Sequence, residues 1–161
     1  MISQEENKTI NEELVDKYLV FKLDEDYALP LEKIVEIVEM GYVTKIPETP
    51  PYIMGVMNLR GRVIPLIDLR VRFKKPPCED LSHQCVVITN FDDVQIGLIV
   101  DNVDDLITID SQHIAPPPTV GKDYAHVFIR EIGIYEDQMK LILDGDKLIN
   151  HQDLDFMSQE D

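Results

Sequence analysis

Short apolar runs alternate with polar, turn-forming stretches along most of the chain, the pattern of strands rather than of long helices. KYLVFKL is an apolar run rich in β-formers, DED is turn-like, and residues 18–30 therefore predict a hairpin. Pro30 suits the first turn of a helix, and Leu31, Ile34 and Val35 have helical spacing. The β-branched Ile34, Val35, Ile37 and Val38 then favour a strand, so one or two helical turns should give way to extended chain. Pro47, Pro50 and Pro51 break any long element, although a short helix can form over PYIM. GVMNL and RVIPLI flank Arg60-Gly61. That is a two-residue hairpin signal in which Gly61 takes positive φ and Arg60 lies at or near the surface.

Residues 73–84, FKKPPCEDLSHQ, are polar and proline-bearing and predict a linker. CVVIT and VQIGLIV about the turn NFDD predict a further hairpin, and DNVDDLITI another strand. Ala115 to Pro118 should be rigid and extended. VFIREIGIY, the turn EDQ and MKLILDGDKLI predict a last hairpin with a terminal helical turn. About nine or ten strands with frequent turns point to an all-β chain with short helices, built as barrels or sandwiches. Residues 1–16 and 151–161 are polar and acidic and have the composition of mobile ends. Between them, 17–150 is expected to fold as one domain whose two β units divide near 74–84.

Charge sharpens this picture. The 161 residues carry 15 Lys and Arg against 31 Asp and Glu, a formal charge of −16. Such a field repels nucleic acid and anionic membrane surfaces. Yet Arg60, Arg62, Arg70, Arg72, Lys74 and Lys75 fall within 60–75 against Asp68 alone, a local +5. Period two from Val63 to Phe73 places Val63, Pro65, Ile67, Leu69, Val71 and Phe73 on a core and the end charges outward. Asp68 can instead cap a short helix and end that alternation. The basic cluster either balances the chain's own acids or docks an acidic partner.

Candidate chemistry is sparse. Ser3, Ser82, Ser111 and Ser158 lack a nucleophile-elbow context, and His83, His113, His126 and His151 are scattered. Cys78 and Cys85, with His83 between them, do not make a metal-ligand set. No phosphate loop or calcium loop is complete. The motif content implies no enzyme, no cofactor and no metal, and favours a binding module. No apolar run approaches a membrane span, and no secretory signal opens the chain, so a cytoplasmic protein is expected.

Four stretches, YLVFKL…YALPLEKIVEIVE, VTKIPETPPYIMGVMNLRGRVIPLIDLR, VVIT…IGLIVDNVDDLITI and IGIYEDQMKLILDGDKLI, resemble the CheW family of bacterial chemotaxis. The likeness runs from about residue 17 to 150, and the central IPxxPPYIxGVxNLRGxxxPxIDLR pattern is its most specific part. The resemblance implies two small five-stranded barrels of the OB or SH3 kind around a shared core, a terminal strand being able to cross between them. It implies a non-enzymatic adaptor bridging chemoreceptor cytoplasmic tips to the regulatory domain of the histidine kinase CheA. Such an adaptor is a monomer when isolated, assembled in receptor arrays, and touches neither nucleic acid nor membrane directly. Arg60, Glu36 and Val103 match receptor-binding positions of the family. Leu19, Leu31, Ile34, Ile37 and Gly55 match kinase-binding positions, and Gly61 serves the turn. Met40, Gly41 and Glu131 depart from the family pattern, which leaves open whether the array serves flagellar chemotaxis or a related sensing system. A rival of another class, an OB-like nucleic-acid binder using the 60–75 patch, predicts exposed aromatics among the basic residues, and only Phe73 is near.

Overall fold

The computed structural model describes residues 14–76, 78, 83–117 and 127–158. The leader expected over 1–16 therefore lies almost wholly outside the described residues, as do Ser82, Pro118, His126 and part of the linker.

Among the described residues, eleven strands form two mixed sheets. The six-stranded sheet runs β8-β1-β2-β11-β10-β9. Its members are β1 (Lys17–Leu23), β2 (Glu25–Pro30), β8 (Asn102–Thr108), β9 (Ile114–Ala115), β10 (Ile129–Tyr135) and β11 (Gln138–Leu143). The five-stranded sheet runs β3-β6-β7-β5-β4. It comprises β3 (Ile34–Glu39), β4 (Ile53–Leu59), β5 (Arg62–Asp68), β6 (Cys85–Phe91) and β7 (Val94–Val100). The ladders run open from edge to edge, so the two units pack as curled sheets rather than as fully closed barrels.

Both sheets contribute to one shared core. Leu19, Phe21, Leu23, Tyr27 and Leu29 from the first meet Ile53, Ile67, Val87, Leu98 and Val100 from the second. Each sheet also buries its other face. Tyr18, Val20, Ala28 and Ile142 cluster behind the first, and Met57, Ile64, Leu66, Val86 and Ile88 behind the second. The central strands β1, β2, β5, β6 and β7 thus bury apolar side chains on both faces. This explains why KYLVFKL is a nearly unbroken apolar run. It also corrects the alternation expected from Val63: Ile64 through Leu69 are buried irrespective of parity, whereas Val63 is exposed. Pro65 is tolerated there because β5 first pairs with β7 one residue later, at Leu66↔Gly97.

Most local expectations hold. The first hairpin turns at Asp24, a 3-10 turn over Leu31–Lys33 leads into β3, and Arg60-Gly61 makes the two-residue tip. Asp68 caps the short helix α1 (Leu69–Arg72), accepting hydrogen bonds from the Arg70 and Val71 amides. A terminal helical turn, α2 (Gly145–Leu148), follows β11. No helix forms over PYIM; residues 51–52 are a turn and β4 starts at Ile53, where Ile67 is its partner.

The chain changes sheets at Pro30–Ile34 and at Val100–Asn102, not near 74–84. Segment 74–84 joins α1 to β6 inside the five-stranded sheet, whereas the six-stranded sheet gathers strands from both halves of the chain, β2 lying parallel to β11. The segment from His151, set apart by its composition, forms a 3-10 helix, His151–Ser158. Leu154 is buried in the shared core, a contribution of roughly 1.5–3 kcal/mol for a residue of that size.

Candidate docking site

The hairpin between β4 and β5 carries the first part of the site. Arg60 and Gly61 both have positive φ, 51° and 85°, the backbone of a type I′ turn that matches strand twist. The Asn58 side chain accepts from the Gly61 amide at 2.9 Å and braces the tip. Arg60 donates to the Glu36 carboxylate, and the guanidinium stays exposed. Glu36 lies on β3, the opposite edge of the same sheet, so this pair marks how far the sheet curls.

β3 is an edge strand with alternating burial. Its outward residues include Val35 and Ile37, exposed at 42% and 45%. Leu31 and Ile34, just before and at its start, are half-buried, and Ile34 packs on the shared core. Exposed apolar side chains beside a polar pair are the ordinary make-up of a docking surface.

Two predicted contact residues are placed elsewhere. Leu19 is 3% exposed, held in the shared core opposite Leu29 and Leu106. Gly55 is buried at a β-bulge with φ of 148°, and a Cβ there would lie 2.3 Å from the Thr44 carbonyl oxygen. Both shape the site from inside the fold. Val103 stands on the other sheet, on edge strand β8 opposite Phe21, half-buried against the shared core. Glu36 and Arg60 are thus brought together directly, while Val103 reaches them only through the packing of the two sheets. Of the departures, Met40 packs behind the five-stranded sheet, Gly41 is exposed beside a fully presented Tyr42, and Glu131 is half-buried on β10.

Much of the basic cluster meets the chain's own groups. Arg70 donates through Nε to both Asp101 oxygens, at 2.8 and 3.0 Å, and through Nη2 to Asp24 at 2.9 Å. Nη1 reaches the Pro76 carbonyl at 3.2 Å. These hydrogen bonds, that to Asp101 first, make the guanidinium still more basic, and the one from Arg70 holds Asp24 below the usual carboxylate value. Lys75 bonds Glu25 at 2.9 Å. Arg72 lies 4.1 Å from the Tyr52 ring centroid and 4.9 Å from that of Phe128, and donates to the Leu148 carbonyl at 2.7 Å. Tyr52 in turn donates to Asp153, and burial together with that bond pushes its phenol up to about 12.

Arg70, Arg72 and Lys75 therefore fasten strands, helix and tail to one another. Phe73, the aromatic a nucleic-acid surface would need, is 2% exposed in the core. The oligonucleotide-binding alternative is not supported. Pattern reading missed Arg70, Asp24 and Asp101 as a unit. The available signal was the acids of the turns DED and VDN, far in sequence from a local basic excess.

Among the described residues no group of three His, Cys, Asp or Glu side chains is placed to hold a metal ion, and no helix is long and apolar enough to cross a membrane. Cys78 and Cys85 are half-buried and unbridged.

Two packed β-sheets that present an apolar strand edge and an ion-paired hairpin tip, with Arg70, Arg72 and Lys75 engaged within the fold, have the make-up of a binding module. More particularly, the chain belongs to the CheW family of chemotaxis coupling adaptors, the CheW-like domain matching residues 17–153. It is 31% identical over 149 residues to the chemotaxis protein CheW of Klebsiella aerogenes, covering 92% of this chain and 90% of that one. It is 31% identical over 138 residues to the chemotaxis protein CheW of Bacillus subtilis, covering 85% and 88%. The crystal structure of the scaffolding protein TtCheW from Thermoanaerobacter tengcongensis superposes with a TM-score of 0.76 at 37% identity, covering 84% of this chain and 88% of that one.

Proposed function

We propose that this adaptor links the cytoplasmic tips of chemoreceptors to the regulatory domain of the histidine kinase CheA, without catalytic activity of its own, in the cytoplasm and within receptor arrays. The observation that carries the reading is the exposed Val35–Ile37 edge of β3 beside the Glu36–Arg60 pair. Arg60, Glu36 and Val103 are the receptor contacts. Leu31, Ile34 and Ile37 are the kinase contacts, with Leu19 and Gly55 supporting them from beneath. A receptor tip that presents a helix with polar groups would meet the guanidinium fork of Arg60, a geometry a lysine does not reproduce. Single contacts of roughly micromolar strength suit a protein that works by multivalent assembly.

The test is calorimetric titration of the chain with the purified CheA regulatory domain and, separately, with a receptor-tip fragment from the same cell. Ile37→Asp should abolish kinase-domain binding and Arg60→Ala should weaken receptor binding. Both variants should stay folded, because Ile37 is half in solvent and exposed ion pairs contribute only about 0–1 kcal/mol. Saturable binding that ignores both substitutions would remove the assignment of these surfaces. No binding to either partner would remove the proposed role.

A further inference from the structure

The receptor contact proposed above is split between the sheets: Glu36 and Arg60 belong to one, Val103 to the other. What joins those sheets is mainly an apolar interface, which is non-directional and resists sliding only through side-chain packing. Directional contacts cross between them at Lys75–Glu25 and at Arg72–Leu148, and the one nearest Val103 is made by Arg70. Arg70 stands on α1, immediately after β5, whose other end begins at the Arg60–Gly61 tip. β5 runs parallel to β7 with Asp68 opposite Ile99, which carries α1 alongside the point where the chain leaves this sheet at Asp101. There Arg70 grips both oxygens of Asp101, two residues before Val103, and the same guanidinium reaches Asp24 in the β1–β2 turn. Gln84, buried ahead of β6, donates to Asp101 at 3.2 Å and narrows its freedom further. A two-toothed guanidinium–carboxylate contact fixes orientation as well as distance, and an ammonium does not.

We propose that Arg70 is a positioning residue that sets the angle between the two sheets and so holds Val103 in register with the Glu36–Arg60 pair. The statement about the receptor rests on the receptor reading above; the statement about the angle does not. Kinase contacts Leu31, Ile34 and Ile37 all lie at or next to β3 and need no such register.

Arg70→Lys keeps the charge and removes the fork. It should weaken binding of a receptor-tip fragment about tenfold, while the affinity for the kinase regulatory domain changes less than about twofold. A loss of stability alone would lower both equally. The angle is read without any partner by the distance between nitroxides at Val63→Cys on β5 and Thr108→Cys on β8, in a chain with Cys78→Ser and Cys85→Ala. Arg70→Lys should broaden that distribution. Should Arg70→Lys fail to fold, Asp24→Asn, which removes one arm at an exposed carboxylate, takes its place in both measurements. Equal loss for the two partners, or an unbroadened distance, overturns the proposal. If the unaltered chain does not bind the receptor fragment, the receptor reading falls, and the nitroxide distance still decides whether Arg70 sets the angle.

Discussion

Gly55→Ala separates a structural requirement from a binding contact. The Gly55 backbone has φ of 148°, a conformation essentially confined to glycine, and forcing alanine into it costs about 1–3 kcal/mol. The new methyl would also stand 2.3 Å from the Thr44 carbonyl oxygen, 2.9 Å from its carbon and 3.0 Å from Val43 Cγ1. Because two of these are backbone atoms, relief requires the chain at Thr44 to withdraw. That withdrawal breaks the paired hydrogen bonds Thr44 N to Val56 O (2.9 Å) and Val56 N to Thr44 O (2.8 Å). At about 0.5–1.5 kcal/mol each, they add roughly 1–3 kcal/mol. The expected loss is thus about 2–6 kcal/mol, a large part of the roughly 5–15 kcal/mol that holds a domain of this kind together. Urea unfolding followed by far-ultraviolet circular dichroism measures it as a lowered midpoint at unchanged slope. A loss under about 1 kcal/mol would refute the steric reasoning. Kinase binding should then fall only in proportion to the unfolded fraction, and a larger fall in a stable variant would make Gly55 part of the contact itself.

Arg72→Ala should cost about 2–5 kcal/mol in the same assay, from two ring contacts and a charged hydrogen bond to the Leu148 carbonyl, and should loosen the C-terminal helix first, as hydrogen exchange at Leu148–Leu154 would report. Asp26→Ala leaves the buried Lys140 ammonium without its carboxylate and should destabilise by about 3–5 kcal/mol, whereas a change within 1 kcal/mol would mean that water reaches Lys140. A phenolate absorbance titration should show Tyr52 ionising at about 12, and Tyr52→Phe should remove that step. Asp24 has a folded pKa below its unfolded value, so its contribution is present above the ordinary carboxylate range and is lost as pH falls through the depressed value. Asp68, raised by burial, titrates in the opposite sense. Thermal unfolding of Asp24→Asn should therefore fall less steeply in acid than that of the unaltered chain, and parallel curves would show that the Arg70–Asp24 bond is not formed in solution.

Local structure was legible wherever a short-range rule governs it. Arg60-Gly61 between two apolar runs sufficed for a hairpin because only a few dihedral combinations reverse a chain in two residues. The Asp68 cap was one of two readings the sequence offered, and it is the one realised, the carboxylate meeting the amides two and three positions on. The edge strand β3 alternates in burial because only one face of it packs, yet its sequence IVEIVE does not alternate in polarity, so Ile37 was a candidate contact through the family resemblance and not through its own pattern. In β1 and β5 the alternation is absent because both faces pack, and no single-strand pattern tells such a strand which face meets which sheet.

Composition, turns and the charge imbalance are properties of residues close in sequence, and they determined the all-β character, the hairpins and the presence of a basic cluster. The apparent linker at 74–84 read as a boundary, yet it is a connection within one sheet, because β6 completes a ladder with β3 that no local signal specifies. Whether the arginines faced a partner or the protein itself was decided only when β7 brought Asp101, and the first turn brought Asp24, to the end of α1. Likewise Leu19 and Ile37, similar in sequence context, were parted by their places in the sheets, one central and one at an edge. Pairing between distant strands selects those neighbours, and it depends on the register and packing of the whole chain rather than on the residues beside each site.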